Sequence, residues 1–437
     1  MPNVSGRRHQ PFLCDAMRNQ DRVPLRKMEV PSNATSVASD GIAHQTDFKS
    51  RIRNAATFFT IFLLFWGVYL ATGCYQRSAF NAHVYLAFSM LHGRFDLIDP
   101  PGYFEIVRTA GRSYVAYGIG PSLLMLPFVA IWGLDFHQGI FAAGLGALAV
   151  TIWRSVLDRL GTEGSTRNLL TVLFGLGSLF WFYAGANGST WNLMHVTAVF
   201  GLVLAIHETL GKTRGWLVGA SFGIAVLARQ PVLLSLPFFV GSLWRADADG
   251  IRGNLNREIW FGLCLGGLML FDAFYNSARF GSVFDNGYRR VILATTDIRF
   301  RPWGLFSLRY VADNAKIYFL RLPENLPDFP WYNPTMAGFS ILISTPALFL
   351  ATAADYRKRL NFLSLAACIT IQAFYLTYFW TGYEQFGCRY TVDYLPFVNL
   401  LAASGSKYRS KRSILLLTLT GMLVEVWGIG WWRTMGW

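Results

Sequence analysis

Ala55–Gly73 reads AATFFTIFLLFWGVYLATG, nineteen residues without a charge. At about 1.5 Å of rise per residue this makes a helix of about 28 Å, matching the hydrocarbon core of a bilayer. The run is too long for a signal-peptide core and lacks a small-residue cleavage site before polar sequence, so it reads as a retained membrane helix. On its N-terminal side, residues 1–53 are polar, rich in Ser, Asn and basic residues, and show no hydrophobic period. They read as a disordered tail. Nine Lys/Arg fall there, which predicts that the tail is cytoplasmic.

On its C-terminal side, further apolar runs follow at 138–156, 169–184, 193–209, 215–228, 231–244, 259–275, 336–354, 362–380, 395–405 and 414–432. The short polar segments 154–168, 207–214, 245–258, 355–361 and 405–413 together hold 15 Lys/Arg. If helices alternate from 138 onward, all five segments lie on the side of the tail, as the positive-inside rule asks. Tyr117–Leu134, apolar but interrupted by Pro121 and Pro127, then cannot be a full crossing. It reads as a re-entrant or interfacial helix on the outer face; the rival is a true crossing with the N-terminus outside. The expected fold is all-α: a polytopic membrane domain over 54–437 with about 11 transmembrane helices and outer juxtamembrane helices. Its outer loops are 74–137, 276–335 and 380–394.

Composition agrees. Of 437 residues 53% are hydrophobic and 15% charged, against about a quarter charged in soluble domains. That excludes a water-soluble globule, a disordered regulator and a disulfide scaffold. The net charge of +14 is a topology signal and not a call for nucleic acid. The tail and the five polar segments hold 24 of the 39 Lys/Arg and 12 of the 25 Asp/Glu. The five cysteines show no CxxC or metal spacing; Cys74 and Cys388 both fall near the outer face.

The minority of charges on the outer side is where chemistry is expected. Residues 77–102 read RSAFNAHVYLAFSMLHGRFDLIDPPG, with apolar residues at helical spacing over 82–91. This predicts an interfacial helix ending at Gly93, with His83 and His92 at its polar rim. Tyr103, Glu105 and GRSYVAY at 111–117 follow. A helix containing Tyr85 and ending in M-L-x-G, then G-R-x-Y-x-x-Y, then a Pro-broken apolar helix ending in W-G, resembles the GT-C membrane glycosyltransferases. Their aminoarabinose and protein O-mannosyl transferase members use polyprenyl-phosphate sugars. The similarity extends to LARQP at 227–231 and WTGYEQFGCRY at 380–390, and covers most of 55–400 as a pattern of spacing.

The resemblance implies sugar transfer from a polyprenyl-phosphate carrier, and a juxtamembrane role for the Pro-broken helix. It also implies an acidic residue, often Asp-Glu, just before the Tyr of the first loop. Asn81 stands at the nearest matching position, followed by Ala82, and an amide takes no proton at neutral pH. Either Asp96, Asp99 or Glu105 supplies the acid, or the chemistry has changed. Asn81, His83 and Tyr85 are the substrate-binding candidates of this loop.

Elsewhere, cations suited to a phosphate are Arg229, Arg289, Arg290 and Arg389, because a guanidinium grips phosphate through two N–H groups. Arg229 interrupts an apolar hairpin, where it is costly unless paired or wet; the plainer account is an arginine snorkelling from a helix end. Arg289 and Arg290 follow the turn signal at Asp285–Gly287, and lie equally well near lipid phosphates. Glu384, Arg389 and Asp393 cluster between Trp380, Tyr383 and Tyr390, as a cavity-lining loop or an interfacial belt. His195 reads as a structural hydrogen-bonding residue, while Asp272 and Glu425 fall inside apolar helices and need partners or a cavity. Residues 303–326 suggest one more interfacial helix with Arg309, Lys316 and Arg321 on its wet face. No P-loop, GxSxG or HExxH occurs, no metal-ligand set is visible, and a divalent cation stays open because relatives vary. The expected partners are a polyprenyl-phosphate-linked sugar and membrane lipids, and the expected place is a plasma (bacterial inner) membrane. Alternatives are a flippase or transporter for a lipid-linked glycan, and a catalytically silent relative.

Overall fold

The apolar runs become helices, several of them broken where a side chain or a close approach requires it. The computed structural model describes residues 52–162, 164–186, 188–245, 250–295 and 303–435; most of the expected tail lies outside them. In chain order the elements that matter here are α1 Ile52–Cys74, α2 Ala82–Leu91, the strands β1 Ile106–Thr109 and β2 Arg112–Val115, and α3 Gly120–Trp132. Then come α4 Gln138–Arg159, α5 Gly164–Leu176, α6 Phe180–Gly185, α7 Thr190–Thr209, α8 Gly215–Ala228, α9 Leu236–Leu243 and α10 Gly250–Phe280. The last are α11 Tyr288–Thr295, α12 Val311–Phe319, α13 Ile341–Ser344, α14 Ala347–Ala351, α15 Arg359–Thr377, α16 Leu395–Gly405 and α17 Lys411–Thr434. Among the described residues six helices (α1, α4, α7, α10, α15 and α17) are long and apolar enough to cross a membrane. That is the signature of a membrane-embedded protein.

Two breaks were read as continuous or merely short runs in the sequence. The run 169–184 splits into α5 and α6 at Gly177–Leu179. There α17 comes so close that a Cβ on Gly421 would collide with the Gly177 carbonyl. A restarted helix exposes N–H groups that lipid cannot satisfy. The Phe182 N–H is taken by Glu425 Oε2 at 3.2 Å, so this intramembrane acid serves as a helix cap. The second break is at Arg229, whose backbone is extended (φ −142°, ψ 96°) between α8 and a 3₁₀ turn over Gln230–Ser235. Pro231 ends α8: it has no N–H to give the Leu227 carbonyl and its ring would meet that carbonyl, whereas it is tolerated in the first turn of the new helix.

The basic segments meet at one end of the bundle. Arg159 bonds the His207 carbonyl, Arg245 Nη2 bonds the Thr209 carbonyl at 2.6 Å, and Arg359 Nη1 bonds the Trp244 carbonyl at 2.9 Å. Asn361 reaches Ser404 Oγ at 2.7 Å. The segment 245–258, expected as a loop, is helical from Gly250. At 31 residues α10 is about 46 Å long, more than a bilayer core requires.

At the opposite end, α2 falls on the residues the hydrophobic period indicates. One expectation for it fails. His83 does not sit at a polar rim but is fully buried, with Nδ1 3.1 Å from Ser122 Oγ of α3. Packing of α2 against α3 covers it, and burial pushes its imidazole down to about 3. His92 is exposed, as expected. α3 has 13 residues, about 20 Å and short of a full crossing. The tight turn Ala110 (φ 49°) and Gly111 (φ 74°) is left-handed at both positions, the twist a two-residue hairpin needs. Pairing Ile106 with Val115 across it brings Glu105 back beside Tyr117. Gly118 and Gly120 then let this chain lie directly on the end of α8: a side chain on Gly118 would collide with the carbonyls of Leu227 and Ala228. The sequence GIG is thus a packing device that sets Tyr117 next to the Arg229 break. Cys74 and Cys388 are both buried as free thiols, bonded to the carbonyls of Ala184 and Phe339.

Candidate functional site

A cavity of about 440 Å³ opens around the Arg229 break. Its walls come from Tyr117 and Gly118, the ends of α8 and α10, Tyr288 and Arg289 of α11, and the end of α15 with Tyr390. Its apolar lining includes Leu233, Leu234, Leu305, Phe306 and Phe374, and of these Leu233, Leu234 and Phe306 are exposed. Its charged lining is cationic in balance, with Arg229, Arg279 and Arg289 against one carboxylate, Asp272.

Arg229 is held from behind. Its Nε donates to Asp393 at 3.0 and 3.3 Å and its Nη2 donates to the Tyr375 hydroxyl at 2.9 Å. Asp393 is fully buried and also takes a hydrogen bond from Tyr375 and lies 2.6 Å from His195 Nδ1. The geometry makes Nδ1 the protonated nitrogen of His195, since its partner only accepts. Tyr390 stacks on Tyr375 at 4.7 Å, and the Arg229 guanidinium lies 5.1 Å from the Tyr390 ring centre. No bond engages Arg229 Nη1 among the described residues, which leaves a fixed, charged donor at the cavity wall. Arg279 is spent locally: it bonds the carbonyls of Tyr275 and Val115 and the Asn276 side chain, under 4 Å from the Tyr275 ring. Arg289 is exposed, and no ion pair engages it among the described residues.

Glu105, an exposed residue of the first outer segment, contacts the lining residue Tyr117 but, like Asp96 and Asp99, is not itself in the cavity lining. Tyr117 donates to its Oε2, and so does Trp191 Nε1 at 3.2 Å, the indole also reaching the Tyr117 hydroxyl at 2.9 Å. Tyr117 itself lines the cavity. Although the residue keeps exposed surface, desolvation of its carboxyl raises it above the ordinary value of 4.5, against the opposing effects of the Trp191 bond and the Arg389 charge. The protonated form therefore persists to higher pH than in an ordinary glutamate. Because Trp191 reports on that carboxyl, its fluorescence should change with a midpoint above 4.5, and Glu105→Gln should remove the transition. Identical titrations of the two proteins would disprove this.

The other expected residues are dispersed. Arg229 and Asp393 are in direct contact and Arg289 shares their cavity. Asp96 is buried in an ion pair with Arg94, whose hydrogen bond holds its carboxyl below the usual range, and Asp99 is exposed; neither lines the cavity. Arg290 pairs with Asp285 at 2.8 Å. Arg389 lies 5.4 Å from the Tyr390 ring centre, and Glu384 stays in its loop; both are outside the cavity lining. Asn81 and Tyr85 line a second, smaller cavity. The sequence reading missed the tyrosines at 275, 288, 375 and 378. It also missed Asp272, Tyr275, Asn276 and Arg279 as a group, although their spacing of three, four and seven is one helical stripe. Among the described residues no three of His, Cys, Asp and Glu come together to hold a metal.

No family model matches the chain, and neither does any curated protein or solved structure.

Proposed function

We propose that this chain is a membrane glycosyltransferase that moves a sugar from a polyprenyl-phosphate carrier to an acceptor at the outer face, in a GT-C-like bundle of about 11 crossings. The observation that carries the reading is one cavity whose lining combines guanidinium groups with exposed apolar side chains. Arg229, fixed by Asp393, and Arg289 offer N–H donors to a phosphate. In the same lining Leu233, Leu234 and Phe306 offer exposed apolar surface to a hydrocarbon tail.

In the reaction the acceptor oxygen attacks the anomeric carbon, the bond from that carbon to the phosphate oxygen breaks, and the polyprenyl phosphate leaves with the electron pair. Glu105 takes the acceptor's proton as general base. Arg229 and Arg289 stabilise the charge that grows on the departing phosphate. The transporter alternative fits the intramembrane Asp272 and Glu425 and the amide at Asn81; Glu425 takes the Phe182 N–H, while Asp272 lines the cavity. A bacterial inner membrane suits the outer-facing site.

The test is mass spectrometry of envelope glycans and glycolipids with the gene deleted. One species should disappear, return with the wild-type gene, and stay absent with Glu105→Ala. An unchanged glycan profile overturns the proposal. Full restoration by Glu105→Ala removes the base and favours a silent assembly partner.

A further inference from the structure

The larger cavity holds one carboxylate to which the reaction above gives no part. Asp272 lines it from α10, half-buried, and makes no ion pair among the described residues. A carboxylate within an apolar helix is costly unless it is paired or wet. Its bonds come from amides only: Gln230 Nε2 donates to Oδ2 at 3.4 Å and Asn276 Nδ2 at 3.2 Å. Oδ1 takes no bond among the described residues. Unlike the Tyr275 hydroxyl, which is sealed and unpartnered, it stays open.

The amides are oriented by partners beyond the carboxylate. Asn276 Oδ1 accepts from Arg279 Nη2 at 2.6 Å, so its N–H₂ faces Asp272. Asn286 Oδ1 accepts the Tyr288 N–H at 3.0 Å, which commits its Nδ2 to Gln230 Oε1 at 2.8 Å. Gln230 is thereby turned with its own N–H₂ towards Asp272. Both neighbours give donors to Oδ2, and neither competes for Oδ1. The relay also ties Asp272 to the cationic part of the lining, since Gln230 follows Arg229 and Asn286 precedes Arg289 by three residues.

Charge decides what Oδ1 can take. Arg229, Arg279 and Arg289 share the lining with this single carboxylate. A cation would meet net repulsion there, and an anion would settle on the guanidiniums, away from Asp272. A hydroxyl meets neither objection and supplies the donor that Oδ1 lacks. We infer that Asp272 is the sugar-binding residue of this site: it accepts a ring hydroxyl of the carrier-linked sugar while the phosphate lies on Arg229 and Arg289. The assignment rests on the transferase reading above and names the group that selects the sugar.

Lipid binding to the full chain in nanodiscs tests it, with farnesyl phosphate as the bare carrier and farnesyl phosphates bearing glucose, galactose, mannose or arabinose as the glycosylated ones. At least one sugar should tighten wild-type binding at least tenfold over the bare phosphate. Asp272→Asn should abolish that gain. The new carbonyl oxygen takes the Gln230 and Asn276 bonds, which turns the new N–H₂ to the cavity, a donor where the acceptor stood. Asp272→Ala, which offers no polar atom, should abolish it as well. Neither variant should weaken the binding of farnesyl phosphate, because the carboxylate only repels that anion. Bare phosphate that binds as tightly as every glycosylated lipid overturns the inference alone. So does a sugar gain that survives both substitutions, or an equal loss of bare and glycosylated lipids. A wild-type chain that binds none of these lipids overturns the transferase reading, and this inference with it.

Discussion

Asp393→Asn is expected to lower the unfolding free energy by about 3–5 kcal/mol, the cost of leaving a buried charge without its partner. The substitution keeps the shape and removes only the charge. Asp393 has no exposure, and the Arg229 side chain is 15% exposed. In the variant, one amide N–H₂ would face either the Arg229 guanidinium or the Tyr375 and His195 donors, a donor opposed to a donor. Arg229→Met alone should cost a similar amount by stranding the carboxylate. Changing both, as Arg229→Met with Asp393→Leu, should return stability to within about 1–2 kcal/mol of the wild type. An apolar pair removes both desolvation costs, and only the Tyr375 and His195 bonds are then lost. Denaturation in mixed micelles measures all three. Additive losses in the double variant would mean that the pair is not coupled, and that Arg229 is a snorkelling arginine whose charge already reaches water.

The coupled pair also explains what the sequence could and could not reveal. Arg229 was legible because a cation next to Pro231 interrupts two apolar runs, and Asp393 because it lies in a loop crowded with aromatics. Their contact was not legible, since 164 residues separate them and charge pairing across such a distance leaves no local pattern. The helix 82–91 was legible from its period and its Gly93 stop. The burial of His83 was not, because only the arrival of α3 decides which rim of that helix is wet. Glu105 stood in a list of three acids that sequence cannot rank. The hairpin at Ala110–Gly111 separates their surroundings, returning Glu105 to Tyr117 while Asp96 stays with Arg94. The α5–α6 break hides inside an uninterrupted apolar run because its cap, Glu425, comes from a helix 243 residues later. Tyrosines near a membrane surface read equally as an aromatic belt, which is why the cavity's tyrosines were invisible as a group.

Arg289→Ala is expected to weaken the binding of polyprenyl monophosphate by about ten- to a hundredfold at low salt while leaving stability unchanged. A hydrogen bond to a charged group is worth about 1.5–3 kcal/mol, and each 1.4 kcal/mol is a factor of ten. Stability should not move because Arg289 is exposed and no ion pair engages it among the described residues. Arg290 is the internal control: it neighbours Arg289, is exposed as well, and is already committed to Asp285 at 2.8 Å. Arg290→Ala should change binding less than threefold. If both arginines merely attracted anionic headgroups, the two variants would behave alike. Salt separates the contributions further, because the Debye length falls from about 10 Å at 0.1 M to about 3 Å at 1 M. The loss caused by Arg289→Ala should shrink towards high salt, where an exposed charge is screened. The loss caused by Arg229→Met with Asp393→Leu should persist, because that guanidinium is mostly buried and its Nη1 donor is fixed. Equal and fully salt-sensitive losses for Arg289, Arg290 and Arg229 would place the phosphate at the lipid surface and not in the cavity.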